Sequence, residues 1–159
     1  HAPAAPIEAK LQTDGCIVRN ACQWHSASAG AYVVDLLGHS NKAVALPKGE
    51  SLTYQINTTR TDSCVLRIAA IPTQPNDNGD IRFSASIDGG EERVFSLKEP
   101  FRSERWKLNV LRGQTVREIE LNGLAAGRHT LKIKAIDNHI IVDQWNVDFN
   151  KNRKRYLFK

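Results

Sequence analysis

Methionine is missing altogether, even at position 1, and the chain opens His-Ala-Pro-Ala-Ala-Pro. The expectation is a processed chain, an excised domain or a proteolytic fragment from which any signal peptide is already gone. No run of eighteen apolar residues occurs, so no helix of the chain should span a membrane. The three cysteines, Cys16, Cys22 and Cys64, show no Cys-x-x-Cys spacing, which removes the common zinc-site patterns. Cys16 and Cys22 are close enough in sequence to bridge a small loop in an oxidising compartment, whereas Cys64 opens an apolar run and reads as a buried thiol. A Gly-x-Ser-x-Gly nucleophile elbow is also lacking.

Charge of one sign is scarce except at one end. The formal net charge is +5, and the last nine residues hold Lys151, Arg153, Lys154, Arg155 and Lys159 with no acid, so the excess belongs to the tail. A solvated C-terminal segment, contact with an acidic sugar polymer, and docking onto a neighbouring domain all fit such a tail. Nucleic acid is not an expected partner, because no basic helix, zinc pattern or aromatic RNA-binding signature accompanies the charge.

What is present is a period of two. The 159 residues suit one domain, large enough to bury roughly 70% of its unfolded surface without staples. In CVLRIAAI, Cys64, Leu66, Ile68 and Ala70 share a face; in RFSASI, Phe83, Ala85 and Ile87 do. Asp88-Gly89-Gly90 and ERVFSL follow, a hairpin signal. In RHTLKIKAI, Leu131, Ile133 and Ala135 point inward and Lys132 and Lys134 outward, and the run 141–149 sets Asp143, Trp145, Val147 and Phe149 on one face. Further strands are expected over 6–11, 32–36, 43–46, 52–57 and 116–121, with turns at 38–41, 47–50, 72–80 and 122–127. About ten short strands predict an all-β antiparallel sandwich or jelly roll. Only 106–112 could form a short helix. Residues 1–6 read as the end of a linker, 7–149 as the domain and 150–159 as a basic tail.

Reactive groups are dispersed. Asn76, Asn78 and Asp80 alternate as in a calcium loop, but Ile87 stands where an EF-hand needs its bidentate acid, and the stretch reads better as a turn. Cys22 and His25 lie three apart, a weak signature for a catalytic pair; His39 and His129, in Gly-rich turns, read as structural. Asp143 shares the inward face with Trp145, so it is either buried with a partner or at the sheet's edge, and a structural or ion-binding role is expected ahead of catalysis. Trp145 reads as core, Trp106 as an edge cover, and Trp24, in the polar loop Gln23-Trp24-His25-Ser26, as an exposed ligand platform.

The segments LLGHSNKAVALP, AAIPTQPNDNGDIRFSASIDGG, ERWKLNVLRG and GRHTLKIKAIDNHIIVDQWNVDF occur in this order. Together they resemble the C-terminal domain of glycoside hydrolase family 115, the α-glucuronidases of xylan and related polysaccharides, over roughly Ile7 to Phe149. The resemblance implies a galactose-binding-like sandwich at the end of a larger extracytoplasmic enzyme, without catalytic carboxylates of its own. It also implies packing against the catalytic domains, with a homodimer as one outcome. More distantly, the chain is similar to carbohydrate-binding modules of families 6 and 35. That likeness implies a structural calcium held by Glu8 and Asp143, with Lys10 where the pattern has a second acid. It also implies a sugar site on loops joining the sheets, where position selects Trp24, Tyr32, Asn138 and His139. The expected function is therefore a non-catalytic accessory domain of a polysaccharide-degrading α-glucuronidase. An autonomous carbohydrate-binding module is the alternative, and an independent hydrolase a weak third.

Overall fold

A computed structural model describes residues 8–10, 16–58, 62–72, 80–97 and 114–149. Strands and turns make up this part of the chain: β1 (Glu8–Lys10), β2 (Cys16–Asn20), β3 (Ser26–Ala27), β4 (Tyr32–Asp35), β5 (Lys42–Leu46), β6 (Ser51–Thr58), β7 (Asp62–Ala70), β8 (Arg82–Ile87), β9 (Arg93–Ser96), β10 (Thr115–Leu124), β11 (Gly127–Ala135) and β12 (Ile140–Asp148). The expected linker end, the basic tail, the 106–112 helix and the Asn76–Asn78 turn lie outside the described residues.

The strands form two six-stranded sheets, which makes the all-β sandwich a finding. The first runs β1-β6-β11-β8-β9, with β3 also on β6; the second runs β10-β7-β12-β5-β4, with β2 also on β12. All pairs are antiparallel except β1 with β6. From β6 onward the chain changes sheet at nearly every connection. The two inner faces are therefore built from residues far apart in sequence.

The alternation sets which side chains meet between the sheets. β6 alternates half-buried and buried, placing Leu52, Tyr54 and Ile56 inside. β11 contributes Leu131 and Ile133, β7 Leu66 and Ile68, and β8 Phe83 and Ala85. Trp145 of β12 is fully buried and meets Tyr54 edge to face across the sandwich, with ring centroids 5.1 Å apart, a geometry contributing about 0.5–1.5 kcal/mol beyond burial. The Tyr54 hydroxyl donates to the Ala21 carbonyl at 2.7 Å, which satisfies the polar tip of a buried ring. The Asp88-Gly89 turn forms as expected: both residues have positive φ, 53° and 70°, and Gly90 N–H donates to the Ile87 carbonyl at 2.9 Å. This is the type I′ geometry that matches the twist of flanking strands.

Two expectations change. β2 and β3 were not anticipated, because CIVRN is short and its neighbours are polar. Asp143 does not share the inward face with Trp145. Val142 pairs with Ala70 and Gln144 with Ala69, so Asp143 is an extra residue in a bulge. Val142, Trp145 and Val147 consequently all join the core. The side chains of the adjacent residues Asp143 and Gln144 both reach Gln114 Nε2, at 3.0 and 2.8 Å, as neighbours in a bulge can.

Candidate functional site

The bulge marks a junction. Up to Val142, β12 pairs with β5; from Gln144 it pairs with β2. Ala21 N–H, at the end of β2, donates to the Asp143 carbonyl at 2.9 Å. The β4–β5 turn folds over the same point and offers its donors to the Asp143 carboxylate. His39 N–H reaches Oδ2 at 2.8 Å, Ser40 N–H reaches Oδ1 at 3.1 Å and Ser40 Oγ reaches Oδ1 at 2.6 Å. With Gln114, four donors surround a carboxylate that is wholly inaccessible to solvent. Charge-assisted bonds of this kind keep a buried anion satisfied.

That surrounding tests the calcium expectation. A calcium ligand must turn its oxygen lone pairs to the ion, but hydrogens occupy those directions on Asp143. β1 places Glu8 opposite Gln55 in the other sheet, and the Glu8 side chain lies outside the described residues. Among the described residues no three of His, Cys, Asp and Glu converge. The donor set at Asp143 does not fit calcium.

Three of the four expected sugar-contact residues lie at the sheet end where β12 starts, on separate strands and turns. Tyr32, Ala45 and Ile141 stand opposite one another across β4, β5 and β12, about 10 Å from first to last at the usual strand spacing. Tyr32 is 57% exposed. Asn138 and His139 are exposed in the turn just before β12. His139 adopts a left-handed φ of 70°, uncommon for a residue with a side chain, and Asn138 Oδ1 accepts from Lys48 N–H at 3.1 Å. These contacts fix the 138–139 turn to the β5–β6 turn.

Carboxylates at this end brace loops. Glu50 Oε1 accepts from Gly30 N–H at 2.6 Å. Asp137 accepts from Arg82 N–H at 3.0 Å and Arg82 Nε at 2.8 Å. The Arg82 hydrogen bond holds the Asp137 carboxyl below its ordinary range. The hydroxyl of Ser96, then Ile81 N–H, does the same for Asp80. Groups held ionised and already bonded can orient a ligand's hydroxyls at their margins, but they are poor general acids.

Trp24, the fourth expected contact, requires correction. It is 8% exposed and belongs to the core cluster. Gln23 N–H closes a turn onto the Asn20 carbonyl and His25 N–H bonds to the Thr53 carbonyl, which brings the intervening ring against the sandwich. The Cys16–Cys22 bridge is also not formed, since Cys22 is a free thiol. β2 runs extended from Cys16 to Asn20, at about 3.3 Å per residue, which separates the two cysteines beyond bridging distance. Burial pushes the Cys22 thiol up, the wrong direction for a nucleophile.

One further cluster was missed. Arg67, fully buried on β7, pairs with Asp148 at 3.0 Å and Glu118 at 3.2 Å. An arginine inside CVLRIAAI was itself the signal, since a guanidinium within an apolar strand requires an acid partner.

The profile of the glycosyl hydrolase family 115 C-terminal domain matches residues 13–159. Among solved structures, a family 115 4-O-methyl-α-glucuronidase with specificity for decorated arabinogalactans superimposes with a TM-score of 0.75 at 36% identity, over 82% of this chain and 17% of that one. The fold alone is shared with a β-(1,4)-mannanase bearing a family 35 carbohydrate-binding module from Podospora anserina: TM-score 0.62, 17% identity, 89% of this chain and 29% of that one. It is shared likewise with the C-terminal family 6 carbohydrate-binding module of a laminarinase from Zobellia galactanivorans: TM-score 0.61, 13% identity, 84% of this chain and 98% of that one. Comparison with curated protein sequences gives no match. The sandwich, the similarity to a family 115 enzyme and the match over nearly the whole chain lead to one conclusion: this chain belongs to glycosyl hydrolase family 115, as its C-terminal domain.

Proposed function

We propose that the chain is a non-catalytic accessory domain of a secreted, polysaccharide-degrading α-glucuronidase acting on xylan or a related glucuronate-bearing glycan. It packs against the catalytic domains or a second subunit and adds an edge to substrate contact. The observation that carries this reading is the family match over residues 13–159 in a chain spanning 17% of a related glucuronidase. The engagement of Glu50, Asp137 and Asp143 in loop bracing agrees with it, since glycoside hydrolysis needs two carboxyl groups flanking one bond. The test is glucuronic acid release from glucuronoxylan by this chain alone and by the parent-length enzyme. Release is expected only from the latter, and release by the chain alone would overturn the reading.

A second reading, an autonomous carbohydrate-binding module, draws support from an exposed Tyr32 at the same end of the sheet as the exposed Asn138 and His139. An exposed aromatic face suits the C–H face of a sugar. Titration with glucuronoxylan and arabinogalactan fragments separates the two. Saturable binding lost in Tyr32→Ala favours the module; a folded chain that binds nothing favours architecture.

A further inference from the structure

The outer faces of the two sheets treat their cations differently. On the β12 sheet, Arg67 is buried and stands opposite Glu118 on β10, which pairs with it. On the other sheet, the central strand β11 raises Lys132 and Lys134 on its outer face. Lys132 lies between Thr53 of β6 and Ser86 of β8, and Lys134 between Ser51 and Ser84. Opposite-charge cross-strand pairs stabilise sheets, yet here every cross-strand neighbour is a hydroxyl. Two acids stand near the margins of this face: Glu92, which accepts from Ser84 Oγ at 3.2 Å near the β9 edge, and Glu8, opposite Gln55. Lys132 is exposed and Lys134 half-buried, and the two project about 6.7 Å apart along the strand.

The hydroxyl side chains on both sides are short; Ser51 and Thr53 on the β6 side are half-buried, and Ser84 and Ser86 on the β8 side are buried. A carboxylate brought to this face gains two cations, and a sugar ring carrying that carboxylate meets the partly open hydroxyls of Ser51 and Thr53. From this charge complementarity we infer that the outer face of the β1-β6-β11-β8-β9 sheet, centred on Lys132 and Lys134, binds the uronate groups of an acidic polysaccharide. The inference rests on the carbohydrate-accessory reading, and it assigns the acidic side groups to a surface separate from the Tyr32 end.

The test compares glucuronoxylan, its carboxyl-reduced form and polyacrylate, using the 159-residue chain and its K132E/K134E and Y32A variants. Glucuronoxylan should bind at low salt, about tenfold more weakly to K132E/K134E, and the binding should fade toward 1 M salt as screening shortens to about 3 Å. Thermal unfolding of the neutral K132Q/K134Q variant checks that losses are not unfolding, and this variant should also bind glucuronoxylan weakly. Equal binding of the native and carboxyl-reduced polymers, undiminished binding by K132E/K134E, or equal retention of sugar-free polyacrylate would each overturn the inference. If the carboxyl-reduced polymer is held through Tyr32 while the lysine variants change nothing, this face falls and the carbohydrate reading stands. If no polymer binds, this face and the autonomous-module reading both fall, and the architectural role alone stands.

Discussion

Gly38 lies against Asp143 so closely that a Cβ at position 38 would sit 2.5 Å from the carboxylate carbon. Its φ of 77° is a second reason for glycine. The Asp143 carboxylate is the hub to which the β4–β5 turn is bonded, and no side chain fits between the turn and the hub.

Gly38→Ala should therefore destabilise the domain by more than the roughly 1 kcal/mol of a simple left-handed penalty. Asp143→Ala, which leaves the buried Gln114 amide and the turn's N–H groups without their acceptor, should cost about 2–4 kcal/mol. Denaturant unfolding of both variants provides the check. Because donors fill Asp143, chelation with EDTA should leave the wild-type unfolding temperature unchanged; a clear drop would show that a cation contributes.

Arg67→Ala should cost about 3–5 kcal/mol, because it removes the guanidinium that pairs with buried Asp148. The double variant R67M/D148L should recover much of that loss, since an ion pair replaced by packed apolar groups leaves no buried charge. A double variant as unstable as the single one would contradict this account of the cluster.

His129 joins two turns. Its Nδ1 is 2.6 Å from Asp88 Oδ2 and its Nε2 is 2.5 Å from the Ala125 carbonyl. Both partners are acceptors, so only the imidazolium satisfies both. Burial lowers the His129 pKa, but the bonds to Asp88 and Ala125 outweigh it and raise the value above the ordinary 6.5. The contribution to stability is thus complete below about pH 6.5 and lost as pH rises through the raised value. Burial raises Asp88, but His129 and Thr130 N–H outweigh it and lower the carboxyl below 3.8, so its contribution holds above about pH 3.8 and fades as pH falls through the lowered value. Wild type and His129→Gln should differ most in unfolding temperature between these limits, and the difference should shrink toward pH 9.

Cys22 should react with a thiol reagent in the native protein without prior reduction, more slowly than a free cysteine because burial raises its pKa. Mass spectrometry of the labelled, non-reduced chain reads this directly. A chain two mass units light and unlabelled at Cys22 would restore the loop disulfide.

Much of the sandwich was legible because strands that bury one face must alternate. Leu131-Lys132-Ile133-Lys134-Ala135 announces its inward and outward sides unaided, and Asp88-Gly89 announces its turn. Neither Trp24 nor Asp143 could be read this way. A polar neighbourhood in sequence made Trp24 look exposed, but the Asn20–Gln23 turn carries the ring inward. A strict period of two placed Asp143 beside Trp145, but one extra residue in β12 removed it.

Periodicity, turn chemistry and composition are local properties, and through them the order of residues established a two-sheet domain and which faces its strands conceal. The partners of Arg67, the donors around Asp143, the placement of Tyr32 and Asn138 at one end of a sheet and the hydroxyl cross-strand neighbours of Lys132 and Lys134 arose from folding in three dimensions. Each depends on which strand lies beside which, and that arrangement joins residues more than a hundred positions apart, beyond the reach of any local pattern.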